Sequence, residues 1–266
     1  MPTLTANAPG TFCWLELHAH DPQAAQRFYS AFFGWTPEET RIGPGENDVY
    51  TVYRLDGQPA AASVAMMAEQ RSQGMPPSWL SYIAVEDADA AAARARELGG
   101  TVLMGPFDAM ELGRMAIVQD PAGAVFAVWQ AKTNPGIGVR EEPGALGWSE
   151  LATTDAARAQ DFYAGLFGWK PETTNMGMEY TTFTGTTGMV GGMYAITPQM
   201  QGMHPCWLPY FVTTDTDAAA EKARSLGATV MAGPQDIPGI GRFAMIQDPQ
   251  GAMFYVIRFD MPASAS

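Results

Sequence analysis

The segment RMAIVQDPAGAVFAVWQ, from Arg114, returns without a gap as RFAMIQDPQGAMFYVIR, from Arg242. Long-range self-similarity constrains a fold more than any single motif, because both copies must satisfy one packing pattern. The offset is 134 residues at Trp14/Trp148, Phe28/Phe162 and Gly34/Gly168, and 128 at Trp79/Trp207 and Gly105/Gly233, so loops of the second copy lose six residues. The copies run from about Thr11 to Gln130 and from Ala145 to Arg258. Between them AKTNPGIGVREEPG has the Pro, Gly and charge content of an exposed linker. The expected organisation is domain one at 11–131, a linker at 132–144 and domain two at 145–259.

Each copy carries a second rhythm of strand, helix and several strands, given twice. Asp21 suits a helix N-cap, Pro22 the first helical position, Phe28 and Phe32 one buried face, and Gly34 the left-handed C-terminal residue. Asp155, Phe162, Leu166 and Gly168 repeat that pattern. SWLSYIAVED reads as a strand leading to a helix from Asp87 to Leu98, stopped by Gly99. GRMAIVQ and GAVFAVW read as strands around the turn Asp120-Pro121-Ala122-Gly123. Each copy is therefore two βαβββ modules, an α+β fold.

Composition narrows the partners. With 28 acidic and 15 basic residues the formal charge is −13, divided evenly between the halves, so nucleic acid and anionic membrane are not expected partners. No apolar run reaches membrane-spanning length, and MPTLTANAPG lacks a signal-peptide pattern. We expect a soluble, cytoplasmic protein, monomer or homodimer, whose partner is a small molecule. Cys13 and Cys206 have no metal-type spacing and read as free thiols.

The order of modules, with strand-D-x-x-x-A-x-x-FY-x-x-x-FGW and DP-x-GA before a strand, resembles the vicinal oxygen chelate superfamily. That superfamily includes glyoxalase I, bleomycin-resistance proteins and extradiol dioxygenases. The resemblance implies two tandem domains, each a curved mixed sheet around a cavity. It also implies metal ligands at fixed strand positions. Seven residues before the helix-capping Asp21, Asp155, Asp87 and Asp215 stand Trp14, Trp148, Leu80 and Leu208; seven after the Asp of DP-x-G stand Ala127 and Tyr255. None of these side chains coordinates a divalent cation, so no metal ligand and no cofactor are expected. A divalent metal held otherwise would have to use Glu16 and His18.

Strand alternation puts Glu16 and His18 on the face of Trp14, and Glu150 on that of Trp148, with Ala152 in place of His18. Tyr82 joins Leu80, and Trp129 joins Ala127; Tyr210 joins Leu208, and Ile257 joins Tyr255. The candidate ligand-binding set is thus Trp14, Leu80, Tyr82, Ala127, Trp129, Trp148, Leu208, Tyr210 and Tyr255, with Glu16, His18 and Glu150 as candidate acid–base residues. Two readings of the carboxylates stand side by side. They act on a ligand, or they form internal ion pairs, Glu16 with Arg114 and Glu150 with Arg242. Met66, Met67, Met75, Met176, Met178, Met189, Met193, Met200 and Met203 cluster near the variable loops, as an adaptable pocket rim or as packing filler. Two function classes follow: a metal-free binding protein of the bleomycin-resistance kind, serving antibiotic or toxin resistance, or an enzyme. The enzyme would be a glyoxalase-like lyase or isomerase, or an oxygenase-type relative, using Glu16 and His18.

Overall fold

The structure is a computed structural model that describes residues 7–45, 48–175, 177–200 and 202–260; Met176 of the methionine cluster lies outside them. The first copy contains β1 (Phe12–Ala19), α1 (Pro22–Phe33), β2 (Thr36–Arg41), β3 (Val49–Leu55), β4 (Gln58–Ala65), the short α2 (Ala68–Ser72), β5 (Ser78–Ala84), α3 (Ala88–Glu97), β6 (Thr101–Ala109), β7 (Gly113–Gln119) and β8 (Val125–Ala131). The second contains β9 (Leu146–Thr153), α4 (Ala156–Phe167), β10 (Lys170–Asn175), β11 (Glu179–Gly185), β12 (Gly188–Ala195), β13 (Cys206–Val212), α5 (Thr216–Ser225), β14 (Thr229–Ile237), β15 (Gly241–Gln247) and β16 (Met253–Phe259). Each copy builds one eight-stranded sheet, ordered β2-β3-β4-β1-β5-β8-β7-β6 and β10-β11-β12-β9-β13-β16-β15-β14. The sheets are mixed: β1 runs parallel to β4, β5 to β8, β9 to β12 and β13 to β16, whereas the hairpins are antiparallel.

The helices start and stop where their capping residues require. Asp21 accepts the Ala24 amide at 3.0 Å, Pro22 opens α1, and Gly34 closes it at φ 76° with its N–H bonded to the Ser30 carbonyl. Asp87, Asp155 and Asp215 cap α3, α4 and α5 in the same way. Phe28 and Phe32, one turn apart, stack with centroids 5.6 Å apart on the buried face of α1.

The chain packs as two compact units, and neither coincides with a sequence copy. One holds the chain up to Leu15, Leu80–Gly138 and Trp148–Leu208; the other holds Glu16–Trp79, Val139–Gly147 and the chain from Pro209 on. Each therefore combines a βαβββ module from both copies. In the latter unit Tyr29 and Phe33 of α1 pack against Trp79, Phe211 and Phe254, with centroid distances from 4.7 to 5.8 Å. The Tyr29 hydroxyl donates to Asp248 Oδ2 at 2.9 Å and accepts from Trp79 Nε1 at 3.3 Å. Asp248 Oδ1 receives the amides of Gln250, Gly251 and Ala252. The former unit repeats the arrangement: Tyr163 donates to Asp120 at 3.0 Å, Trp207 donates to Tyr163 at 2.8 Å, and Asp120 Oδ1 takes the amides of Ala122, Gly123 and Ala124. Thus the DP-x-G aspartate does more than make a turn. One oxygen folds the turn and the other anchors a buried tyrosine.

The linker is not the exposed segment that its composition predicts. Gly136, Ile137, Gly138 and Val139 are buried, and the Ile137 amide donates to the Cys13 carbonyl at 2.8 Å. A Cβ at Gly136, where φ is 100°, would stand 2.1 Å from that carbonyl oxygen, so the glycine permits a close backbone approach. At its other end the Gly144 carbonyl accepts the Trp35 indole N–H at 2.9 Å. Neither cysteine forms a disulfide; Cys13 is fully buried and Cys206 partly so.

Candidate functional site

The first candidate site begins with β1. Cys13, Leu15 and Leu17 are completely buried, while His18, on the alternate set with Glu16, keeps some exposure. His18 Nε2 lies 2.9 Å from Glu16 Oε1, with side chains 16% and 12% exposed. Residues two apart on a strand share a face, so their side chains meet as the alternation predicts. An ionised carboxylate only accepts, so with Glu16 ionised the contact is made by an Nε2–H of His18.

The second copy differs at one position of this group. Ala152 stands in place of the histidine, and the Tyr180 hydroxyl of β11 interacts with Glu150 and accepts the Trp148 indole N–H at 3.0 Å; Tyr50 of β3 holds the register position of Tyr180 in the first copy. Burial, followed by the Glu150 charge, raises the Tyr180 pKa, so the phenol stays protonated and donates to Glu150. Gly192 makes this possible. It lies opposite Glu150 in the β9–β12 register, and a Cβ there would stand 2.1 Å from the Tyr180 oxygen. Its counterpart opposite Glu16 is Ala62.

The expected ion pairs with arginine do not form. Arg114 binds Asp89 of α3 at 2.5 and 2.9 Å and reaches Asp108 at 3.4 Å. Arg242 likewise binds Asp217 of α5 at 2.6 and 2.9 Å and Asp236 at 3.1 Å. The reason is strand parity: both arginines lie on the helix-covered face of β7 and β15, opposite Asp108 and Asp236 in the register. Met115 and Phe243, one residue along, take the other face.

The remaining candidates form two aromatic groups. Tyr82 and Ala127 are register partners, and Trp129 meets Tyr82 edge-on at 6.2 Å while donating to the Asn134 carbonyl at 3.0 Å. Tyr210 and Tyr255, also register partners, stack at 4.1 Å and 10°, with the Phe243 ring 5.9 Å from Tyr255. Trp14, Leu80 and Leu208 are buried, and Trp148 is half-buried. The structure thus brings together Glu16 with His18, Trp148 with Glu150, Tyr82 with Ala127 and Trp129, and Tyr210 with Tyr255. Glu16, His18, Tyr210 and Tyr255 belong to one compact unit, and the other eight candidates to its companion. Sequence reasoning missed Tyr180 and Gly192. Their one signal was small residues at 191 and 192, and its meaning depends on the register of three strands.

The donor set does not suit a metal of the kind the family pattern implies. Its six positions carry indole, aliphatic and phenol side chains, and among the described residues no three His, Cys, Asp or Glu side chains gather at one point.

Two mixed sheets, each made of paired βαβββ modules, with acidic and aromatic side chains on their strand faces, define a class that comparison with known proteins identifies. The chain belongs to the Glyoxalase/Bleomycin resistance protein/Dioxygenase superfamily, whose profile matches residues 145–256, while a Glyoxalase-like domain profile matches residues 14–129. It is 38% identical over 260 residues to the glyoxylase-named protein CFP32 of Mycobacterium tuberculosis, covering 97% of this chain and 98% of that protein. It is 36% identical over 278 residues to the anthracycline biosynthesis protein DnrV of Streptomyces peucetius, covering 98% of each. Among solved structures, the Mn(II)-bound glyoxalase of Novosphingobium aromaticivorans shares the fold with a TM-score of 0.65 at 13% identity, over 94% of this chain and 82% of that one. The 2,3-dioxygenase LapB of Pseudomonas sp. KL28 does so with a TM-score of 0.63 at 13% identity, over 97% and 96%.

Proposed function

We propose that this protein binds a small, largely apolar or aromatic organic molecule at one or both of its sheet faces, without a metal of the family type. One observation carries the reading: the six positions of the family's metal ligands hold Trp14, Leu80, Ala127, Trp148, Leu208 and Tyr255, and a buried carboxylate stands two residues beyond each tryptophan. Apolar and aromatic surface supplies affinity for such a ligand, and a few polar groups orient it. The anthracycline biosynthesis relatives are in keeping with an aromatic ligand. The proposal includes a role in resistance to an antibiotic or toxin, with the protein acting in the cytoplasm as monomer or homodimer. Elemental analysis of protein purified without added metal tests it, and a stoichiometric divalent cation would overturn the metal-free part.

The second reading is an enzyme of the same superfamily, a lyase, isomerase or oxygenase-type catalyst. The Glu16–His18 contact of 2.9 Å favours it, because a carboxylate-oriented imidazole can accept a ligand proton and return it. Glu16→Gln separates the two. An enzyme loses turnover while it still binds ligand; a binding protein changes only in affinity.

A further inference from the structure

A cleft of about 250 Å³ lies among α1, α5, the end of β13 and the last linker residues, Pro143 and Gly144. All of its walls belong to one compact unit. Phe32, Phe33 and Val256 give it apolar surface, and Asp215, Ala218 and Lys222 line it from a single stripe of α5. Val256 neighbours Tyr255 on β16, and alternation turns the two to opposite faces, so the cleft is not part of the face that carries Tyr210 and Tyr255.

The two units differ at this place. The offset of 128 sets Arg94 against Lys222 and Glu97 against Ser225. Arg94 Nη1 donates to Glu97 at 2.8 Å, and its Nε donates to the Gly165 carbonyl of α4 at 3.3 Å, so this guanidinium ties two helices and has a carboxylate at hand. Lys222 has neither. The Ser225 hydroxyl donates to the Lys222 carbonyl, Glu221 pairs with Arg224, and among the described residues nothing pairs with the Lys222 ammonium. A cation without a partner at an apolar cleft complements an apolar molecule with one negative charge. Asp215, the acid of the stripe, stands seven residues from Lys222, about 10 Å along the helix, with Oδ1 bonded to the Ala218 amide at 3.0 Å.

We propose that this cleft binds a small carboxylate with an aromatic or aliphatic body, the body between α1 and α5 and the carboxylate on Lys222. The site goes beyond the sheet-face function proposed above and is independent of it. Lys222 gives the cleft its preference for an anion, and the Arg94–Glu97 pair denies that preference to the corresponding place in the other unit.

The test uses the full chain with 3-phenylpropionate and its neutral amide, followed by backbone amide shifts in two-dimensional NMR. The carboxylate is expected to bind about threefold to fivefold more tightly than the amide, as a partly exposed ion pair allows. Its shifts should centre on Gly144, Thr213 and Ala218, which line the cleft. Lys222→Met, which keeps the apolar stem, should abolish the preference. Ser225→Glu, which restores the carboxylate that Arg94 has in Glu97, should weaken binding of the carboxylate and leave that of the amide unchanged. Both positions are exposed, so neither variant should disturb folding. The inference is overturned if the shifts centre elsewhere, if either variant leaves the preference unchanged, or if neither probe binds the wild type at millimolar concentration; the sheet-face function stands in each case.

Discussion

Removing the Tyr29 hydroxyl tests whether the tyrosine–aspartate–tryptophan cluster holds its unit together. Tyr29 is fully buried, and its hydroxyl serves two other buried groups, Asp248 Oδ2 and Trp79 Nε1. Tyr29→Phe preserves the ring contacts with Trp79 and Phe254 and deletes only those two bonds. A buried polar group that loses its partner costs about 1–3 kcal/mol, and two do so here. Part is offset because the hydroxyl no longer has to be desolvated. The net loss should be about 2–4 kcal/mol, a fall of roughly 5–10 °C in Tm for a chain of this size. Urea titration at 25 °C and calorimetry measure it. Tyr53→Phe, which removes one neutral hydroxyl bond to Ser63 at 2.8 Å, provides the scale and should cost about 1 kcal/mol. If Tyr29→Phe costs no more than Tyr53→Phe, the cluster is packing filler and the reasoning is wrong.

Burial, the largest cause, raises the carboxyl pKa of Asp248 and Asp120 above 3.8 in the folded protein. The folded state therefore holds these protons more tightly, and the associated stability is complete below 3.8 and lost as pH rises through the folded pKa. The stability difference between wild type and Asp248→Asn should accordingly shift in favour of the wild type as pH is lowered from 7 towards 4; a pH-independent difference would refute the assignment. His18→Ala removes a hydrogen bond to a mostly buried carboxylate and should cost about 1–2 kcal/mol by the same urea assay, whereas His20→Ala, at an exposed position, should cost almost nothing. Burial pushes the Cys206 thiol up to about 12 and Cys13 is fully covered, so a disulfide reagent at pH 8 should modify neither in the native protein and both after denaturation.

The fold was legible because its signals are local and given twice. Asp21, Pro22 and Gly34 mark both ends of α1 by capping chemistry alone, and the alternation of FCWLELHA predicts the meeting of Glu16 with His18. What escaped were pairings that depend on register or on contacts distant in sequence. Arg114 was one candidate partner for Glu16, yet strand parity sends it to Asp89 on α3. Tyr180 reaches Glu150 only because β12 places a glycine between their strands. The linker looked exposed by composition, although glycine also allows a segment to run against another backbone, as Gly136 does beside Cys13. The DP-x-G motif was read as a turn, and its second carboxylate oxygen, committed to a tyrosine 219 residues away in one case, has no local signature.

The composition of the compact units changes what cutting the chain should do. A fragment ending in the linker would carry α1 with Tyr29 and Phe33 but neither Asp248 nor Phe254, and its complement would carry Tyr163 without Asp120. Neither half owns a complete core, so each should be unfolded alone, and mixing the two should restore structure with a concentration-dependent midpoint. The duplication has turned two repeats into reciprocal halves, each supplying what the other's core lacks.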